Sequence, residues 1–333
     1  MKELMSDFDR KIYEEEFAHT LPKKIFDSHV HIFPRSAYPA DHQFSPTSCY
    51  NRFDGEFPLE LWKKLMKELL PLQEVHVNAF GSPSDAVDRD IIPQTDGEKV
   101  FSGVLASPAD PVEVLAKRVE STHASCIKPY LNYGAAFYGK KPNDVEVNDM
   151  LTPDQLAYIN EKKLAITWHI PRSGRFADPL NQRQMIALCE KYPDISFIFA
   201  HIGRAYFMKN IKESNLGEFV QFPNAYFDTA MINSAEIIQY TCDHFPAERI
   251  LFGTDSPIAL LRGKSVEINN QYAYLMGENY KIGTSIVDTS ETVKFTFFFY
   301  EQLRGILEGV PEKDQEKVFY SNAQTLFERI YNQ

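Results

Sequence analysis

The sequence predicts an α/β protein built as a (β/α)8 TIM barrel with lid-like inserts after strands 1 and 8. Short runs of β-branched and aromatic residues alternate with amphipathic stretches, a pattern typical of parallel βαβ units. Eight such runs occur, and polar residues follow several of them at the end where barrel enzymes place their active sites. An open doubly wound sheet is the alternative, and the position of the polar residues favours the barrel.

The predicted strands are separated by stretches with helical spacing of their apolar residues. The eight strands are Ile25–His31, Glu74–Ala79, Val100–Ala106, Ser125–Tyr130, Leu164–His169, Ile195–His201, Ala225–Thr229 and Ile250–Asp255. The helical stretches are 60–70, 111–121, 153–162, 180–191, 209–219 and 234–245.

Two inserts interrupt the alternation, one from Phe33 to about Leu59 and one from Ser256 to about Thr289. Both leave the C-terminal ends of strands, so we expect lids or pocket walls rather than two unrelated surface loops. We expect one domain over 1–333. Within it, 1–23 is a helical extension capped by Ser6, 24–310 is the barrel, and 311–333 forms two closing helices, the second starting near 321–323.

The composition is that of an acidic globular protein. The chain has 333 residues, 44% of them hydrophobic, and a formal net charge of −11. An overall negative field does not attract nucleic acid or anionic lipid, so we expect neither as a partner. No apolar run approaches the ~18 residues of a membrane span. The N-terminus lacks a signal-peptide core and the four cysteines show no CxxC spacing, which predicts a cytoplasmic protein with reduced thiols.

The first predicted strand carries two histidines, His29 and His31, two residues apart. Side chains at this spacing point to the same face of a strand. Three more polar residues end later strands: His169 ends strand 5, His201 ends strand 6 and Asp255 ends strand 8. Because the carboxyl ends of barrel strands meet at one mouth, we expect all five side chains to lie close together.

Neutral histidines and a carboxylate are ligands that suit Zn²⁺, Mn²⁺ or Fe²⁺, with zinc the expected metal. Three histidines and one aspartate would hold one metal and leave a position open for water, whose pKa the metal lowers. Asp255 can then move a proton and His201 can polarise a carbonyl. Each residue alone has a structural alternative, such as Asp255 in a turn before Ser256 and Pro257, or Asp27 as a hydrogen-bond partner. Their joint occurrence favours the metal site.

Basic residues follow the same strands. Lys128 ends strand 4, Arg172 and Arg175 follow His169, and Arg204 follows His201. A guanidinium matches a carboxylate in two-point geometry, so these four residues predict a small anionic substrate. The alternative for the arginines is pairing with loop carboxylates such as Asp178.

The chain resembles the amidohydrolase superfamily over about residues 24–330. Within it, the chain is similar to the amidohydrolase-2 branch, which includes aminocarboxymuconate-semialdehyde decarboxylase and pyrone-dicarboxylate lactonase. The segments that carry the resemblance are 27–31, 127–129, His169, 200–203 and 250–257.

The resemblance implies that His29, His31, His169 and Asp255 are metal ligands, with His201 a nearby catalytic residue. It also implies that Lys128 is uncarboxylated and contacts substrate or water, whereas a carboxylated lysine bridging two metals is the alternative.

The expected activity is hydrolysis of an amide, lactone or related carbonyl bond in a small carboxylated molecule by metal-bound hydroxide. Non-oxidative decarboxylation of an unsaturated or aromatic acid is the second interpretation, because that branch uses the same ligands. A barrel that binds metal or ligand without catalysis is the third. A homodimer is a common arrangement for such an enzyme, although no segment of the sequence defines an interface.

Overall fold

Eight parallel strands in sequential order form the centre of the molecule, as seen in a computed structural model that describes residues 4–333. The ring closes between the first strand and the segment that follows the eighth, through hydrogen bonds from Ser28 N to Phe252 O and from His31 N to Ser256 O, 2.9 and 2.7 Å long. The predicted barrel is confirmed. The strands are β1 Lys24–His31, β2 Glu74–Phe80, β3 Val100–Ala106, β4 Cys126–Pro129, β5 Ala165–Trp168, β6 Ser196–Phe199, β7 Ala225–Asp228 and β8 Ile250–Leu251.

Helices surround the barrel at the places where the apolar spacing predicts them, with one exception. The predicted helix at 209–219 is a short α-helix followed by a separate 3-10 turn, Leu216–Gln221, because Asn215 between them has a left-handed backbone with φ of 49°. Among the described residues, the α-helices are Asp7–Ile12, Leu59–Leu69, Val112–Thr122, Leu131–Tyr138, Pro153–Glu161, Pro179–Lys191, Met208–Lys212, Ala235–His244, Phe298–Gly309, Glu312–Glu316 and Asn322–Tyr331, besides a left-handed turn at Ala200–Arg204.

The strand that carries the last candidate ligand is much shorter than predicted. After Leu251 the chain leaves the sheet, because the Thr254 amide donates to the carboxylate of Asp27, 2.8 Å away, rather than to a neighbouring strand. The Phe252 amide likewise donates to the carbonyl of Val318 in the C-terminal helical region. The segment that precedes Asp255 is therefore held by the side chain of Asp27, by the C-terminal helical region and by the amide of Ser28.

The insert after β8 folds into a three-stranded sheet of its own, with β9 Gly263–Ile268, β10 Gln271–Met276 and β11 Ser285–Val287. Asn269 and Asn270 join β9 to β10 with φ of 51° and 56°, as a tight two-residue hairpin turn requires. The insert after β1 starts and ends on an antiparallel bridge between Phe33 and Phe57. Each insert therefore has an ordered base.

Both ends of the described chain are helical. Ser6 caps the first helix by accepting from the amide of Asp9 at 3.3 Å, while residues 1–3 of the expected N-terminal helix lie outside the described residues. At the C-terminus the two predicted helices are Glu312–Glu316 and Asn322–Tyr331, and the second begins within the predicted 321–323. Ser321 has helical angles, and a π-helical turn, Lys317–Ser321, joins the two α-helices without interruption. Among residues 4–333 no helix is long and apolar enough to cross a membrane.

Candidate metal centre

The two histidines of β1 are buried at the carboxyl end of the barrel and point to the same side. Each is held by its Nδ1 atom. His29 Nδ1 lies 2.9 Å from the Oδ2 atom of Asp228, and His31 Nδ1 lies 2.8 Å from the carbonyl oxygen of Gly81. A carbonyl and an ionised carboxylate only accept hydrogen bonds, so both Nδ1 atoms carry the proton. In the neutral rings the Nε2 lone pairs therefore face the barrel centre.

These lone pairs meet a carboxylate. Asp255 Oδ1 lies 3.2 Å from Nε2 of His31 and 3.6 Å from Nε2 of His29. Two imidazole nitrogens and a carboxylate oxygen at such separations are ligand atoms that one divalent cation can share. His29 stays neutral because burial, followed by the charge of Lys128, lowers its pKa to about 4. The donor set therefore fits a divalent metal.

Asp255 is ionised in this setting. Burial opposes ionisation, but the interactions with the neighbouring histidines His31, His29 and His201 outweigh it, so the pKa of Asp255 lies far below its ordinary value. Its backbone is left-handed, with φ of 67°, and its amide donates to the carbonyl of His29. A non-glycine residue in this region is uncommon and marks a functional constraint more often than chance.

His201 lies at the end of β6 in a left-handed turn, with φ of 59°, followed by Ile202, Gly203 and Arg204, also with positive φ. Its Nδ1 donates to the carbonyl of Ala230 at 2.9 Å, so its Nε2 also presents a lone pair. The His201 ring stacks on the His29 ring, with centroids 5.0 Å apart. Burial lowers the pKa of His201, which keeps the ring neutral.

His169 lies on the far side of the same space. Its ring centroid is 5.4 Å from that of His201 and 5.7 Å from that of Tyr130. Burial, and next the charge of Arg204, holds the pKa of His169 well below its usual range. Its Nδ1 atom is buried without a hydrogen-bond partner among residues 4–333. Of the four ligands that the resemblance implies, the structure brings His29, His31 and Asp255 within 4.8 Å of one another and sets His169 outside that group.

Asp228 is a site residue that the sequence analysis missed. It is fully buried, and its Oδ1 atom accepts from the amide of His201 at 2.7 Å while its Oδ2 atom holds His29. Burial opposes ionisation of Asp228, but the electrostatic interaction and the hydrogen bond with His29 lower its pKa below the ordinary value. One carboxylate thus orients two histidines, as carboxylates behind metal-binding histidines commonly do. The sequence held a clue, since Asp228 is the last residue but one of the predicted strand Ala225–Thr229 and so lies near the same mouth as the other polar site residues.

Asp27 takes the hydrogen-bonding role that the sequence analysis expected. It accepts from the amide and hydroxyl of Thr254 at 2.8 and 2.6 Å and from the amide of His29 at 3.2 Å. Burial raises its pKa to about 7, against the effect of these hydrogen bonds. Asp27 therefore ties β1 to the segment that carries Asp255.

Two residues of β4 and the loop that follows donate toward the centre. Lys128 is fully buried with Nζ 3.0 Å from Nε2 of His29, and Tyr130 has its hydroxyl 3.1 Å from Nε2 of His31. Burial lowers the pKa of Lys128 to about 8, although Asp228 and Asp255 oppose this shift. Both groups lie where they can contact a substrate bound at the histidines.

The three candidate arginines differ in their partners. Arg172 donates from Nε to Asp178 at 2.8 Å, which is the loop pairing expected as the alternative to substrate binding. Arg204 donates from Nη1 to the carbonyl of Ile170 at 2.7 Å. The Arg175 guanidinium lies over the rings of Tyr272 and Tyr206, 4.5 and 5.4 Å from their centroids.

Comparisons with known proteins identify the family of this chain. A sequence model described as amidohydrolase, for the amidohydrolase-2 family, matches residues 26–329. A search of curated proteins finds no match.

Three solved structures illustrate the likeness of fold. A candidate 2-pyrone-4,6-dicarboxylic acid hydrolase from Pseudomonas putida is 15% identical, with a TM-score of 0.56, covering 92% of this chain and 98% of that one. The 4-oxalomesaconate hydratase from Rhodopseudomonas palustris is 14% identical, with a TM-score of 0.53, covering 92% and 96%. A zinc-bound amidohydrolase from Burkholderia multivorans is 12% identical, with a TM-score of 0.52, covering 91% and 98%.

The family match spans nearly the whole barrel and includes every strand end described above. Proteins of this family generally bind a divalent metal, and the cluster of His29, His31 and Asp255 fits one. The chain belongs to the amidohydrolase-2 family of the amidohydrolase superfamily.

Proposed function

We propose that this protein is a zinc-dependent hydrolase that cleaves a lactone, amide or related carbonyl bond in a small carboxylated molecule. The observation that carries the proposal is the set of histidine Nε2 lone pairs that face the carboxylate of Asp255 in one buried space. His29, His31, His169 and Asp255 are the ligands that we propose. Zinc is chosen because a nitrogen-rich set with one carboxylate suits it, with manganese and iron as alternatives.

The metal, when bound there, supplies Lewis acidity and lowers the pKa of water toward neutrality. The remaining chemistry belongs to the side chains. Asp255 is ionised and stands next to two histidines, so it can take the proton of the attacking water and pass it to the leaving group. His201, neutral at rest, can accept a proton and then stabilise negative charge that develops on the substrate. Lys128 and Tyr130 can donate hydrogen bonds to the carbonyl oxygen under attack.

The name of one structural relative supports this reaction class, and the name of a second supports only the kind of substrate. One is a candidate hydrolase of 2-pyrone-4,6-dicarboxylic acid and another is a hydratase of 4-oxalomesaconate, and both names denote small carboxylated molecules. Non-oxidative decarboxylation is the second candidate, because the zinc ligands would be the same. It is favoured by Lys128, a buried cation beside His29 that could hold a carboxylate next to the reacting carbon.

The test is a panel of lactones, cyclic amides and unsaturated carboxylic acids given to the zinc-loaded protein, with the ring-opened product measured by mass spectrometry and carbon dioxide measured in parallel. We expect a ring-opened product without carbon dioxide for at least one lactone or amide, and a loss of at least about a hundredfold in Asp255→Asn. Asp243→Asn, at an exposed helix position, is the matched control. Carbon dioxide as the product would overturn the hydrolase in favour of the decarboxylase.

We also propose a cytoplasmic location. The four cysteines Cys49, Cys126, Cys189 and Cys242 are unpaired, as is usual where glutathione keeps thiols reduced. A homodimer is the assembly we propose, to be checked by light scattering of the purified protein.

A further inference from the structure

The insert after β8 leaves apolar side chains exposed along one edge of its small sheet. Ile286 of β11 is 48% exposed, and Val287 of the same strand and Val293, which follows it, are also exposed. Phe8 of the N-terminal extension is exposed as well and lines the same surface cavity as Val293. Single exposed apolar residues are ordinary, whereas a group of neighbouring ones marks an interaction surface. We call these four residues the edge patch.

The strand β11 also has a free backbone edge, because it pairs with β10 on one side only. The amide of Asp288 donates to the carbonyl of Met276, and the carbonyl of Thr284 accepts from β10, both at 2.8 Å. Backbone groups of successive residues alternate in direction along a strand, so Ser285 and Val287 point their amides and carbonyls away from β10. Among residues 4–333, no strand borders that side of β11.

This open edge lacks the features that usually prevent strands from pairing. Natural edges are blunted by lysine, proline or an inward-pointing charge, whereas β11 has the sequence Ser-Ile-Val. The strand is only 3 residues long, so its backbone alone would hold a second strand weakly. A partner that binds here must therefore cover the edge patch as well as the strand.

The charges around the edge patch are balanced, unlike those of the whole chain. The chain carries a net charge of −11, so two copies repel each other over most of their surfaces. Lysines and acids occur in equal number beside the patch, and within residues 4–333 none of them has an ion-pair partner. They are Lys281, Asp288, Glu291 and Lys294. A face with both charges can pair with a copy of itself, which a face of one sign cannot.

We propose that β11 and the edge patch form the interface of a homodimer, in which β11 pairs antiparallel with β11 of a second copy. The twofold axis lies at Ile286. Ser285 of each copy is then opposite Val287 of the other, and their outward amides and carbonyls exchange hydrogen bonds. Ile286 meets its own copy in the kind of pair where side chains approach most closely.

This interface joins the small sheets of two copies into one continuous sheet. Tyr272 lies on β10, the strand beside β11, and its ring centroid is 4.6 Å from that of Tyr206. The Tyr206 ring lies in turn 6.0 Å from the ring of His201. Pairing therefore supports one wall of the metal centre in both copies. The inference names the surface of the homodimer proposed above and is independent of the reaction.

The experiment measures the dimer dissociation constant of the full chain by sedimentation velocity, from about 0.1 to 100 μM. We expect Ile286→Glu to raise this constant by about a hundredfold or more, because like charges then face each other at the axis and the change acts in both copies. Ile268→Glu is the matched control, since Ile268 is 46% exposed but lies on β9 at the other edge of the sheet. Its dissociation constant should stay within about twofold of the wild-type value.

A charge exchange tests the same face without placing a charge in the strand. The double variant Lys281→Glu with Lys294→Glu makes the face acidic, and Asp288→Lys with Glu291→Lys makes it basic. Each should dissociate because like faces repel, and an equal mixture of the two should form dimers again. Hydrogen exchange of the Ser285 and Val287 amides should be slow in the wild type and fast in Ile286→Glu.

A wild type that is monomeric at about 100 μM would overturn the inference together with the proposed homodimer. A dimer that Ile286→Glu leaves intact, or equal dissociation by Ile286→Glu and Ile268→Glu, would overturn the interface alone. Charge variants that fail to associate when mixed would also contradict it. Zinc content, circular dichroism and turnover are measured on the same preparations. A dimer that behaves as expected but has no zinc or turnover would refute the proposed function and leave the interface standing.

Discussion

The strand ends of the barrel and the insert after β8 contribute different kinds of side chain to one site. At the strand ends, His29 and Asp228 are fully buried and hydrogen-bonded to each other. On the insert, Tyr272 and the arginine above it are only partly covered, and that arginine has unused donors. Rigid strands suit groups that must be fixed to within a fraction of an ångström, whereas inserts vary without disturbing the core. The comparison teaches that the buried strand ends hold the fixed groups of the site, whereas the insert contributes groups that are held less tightly.

Among changes at the strand ends, removal of a metal ligand should have the largest effect on zinc content and activity. We expect wild-type protein to hold about one zinc per chain and His31→Ala to hold less than about one-tenth of that, with activity down by on the order of a thousandfold. The measurement is metal analysis after exhaustive dialysis. His76→Gln is the control, because His76 is a buried histidine paired with Gln324 and Glu74 rather than with the site. Equal zinc loss in both variants would contradict the proposed ligand set.

Loss of the Asp228 carboxylate should lower zinc affinity or activity by less than loss of a ligand does, but by a clearly measurable amount. Asp228→Asn keeps the shape but weakens the hold on the Nδ1 proton of His29, so we expect zinc affinity or activity to fall by about tenfold to a hundredfold. Competition with a chelator gives the zinc affinity. An unchanged affinity together with unchanged activity would show that Asp228 does not orient the histidines.

The insert after β8 is joined to the N-terminal extension by an ion pair, and the stability that this pair contributes should depend on pH. Asp9 is buried and accepts from Arg262, just before β9, at 2.6 Å. Burial opposes ionisation of Asp9, but hydrogen bonds from Arg262 and Ser6 outweigh it and lower its pKa. A depressed folded pKa means that the stabilisation is complete above the ordinary value of about 3.9 and disappears as the pH falls through the lower folded value.

We therefore expect Asp9→Asn to reduce the free energy of unfolding by about 2 kcal/mol at pH 7. The difference from wild type should shrink below about pH 4. Urea unfolding at a series of pH values measures it. A difference that stays constant down to the lowest pH would rule out the Asp9 ion pair as its origin.

The smallest effect is expected where the two inserts touch. The Nε atom of Arg52 lies 3.3 Å from Oε1 of Glu278, and the amide of Lys281 donates to the carbonyl of Thr47 at 2.8 Å. Arg52→Met should cost about 1 kcal/mol or less. It should also speed hydrogen exchange of the Lys281 amide, which mass spectrometry of that peptide detects. Arg183→Met, at an exposed helix position, should leave the exchange rate unchanged.

The sequence by itself determined the barrel, the pairing of His29 with His31 on one face, and the polar residues at strand ends. These follow from periodicity, since side chains alternate along a strand and parallel strands end at one mouth. The resemblance added a set of ligands and the family, and the family is confirmed. None of this required knowledge of which distant residues touch.

Only the tertiary structure decided the partners. The carboxylate of Asp228 contacts His29, which lies 199 positions away in the sequence. Arg172 pairs with Asp178 rather than with a substrate. The sheet formed by β9, β10 and β11 and the continuous C-terminal helical region were not evident in local patterns either. Pairing of side chains and the folding of an insert depend on what packs beside them, because an individual contact is stabilised by surroundings that a short segment does not contain.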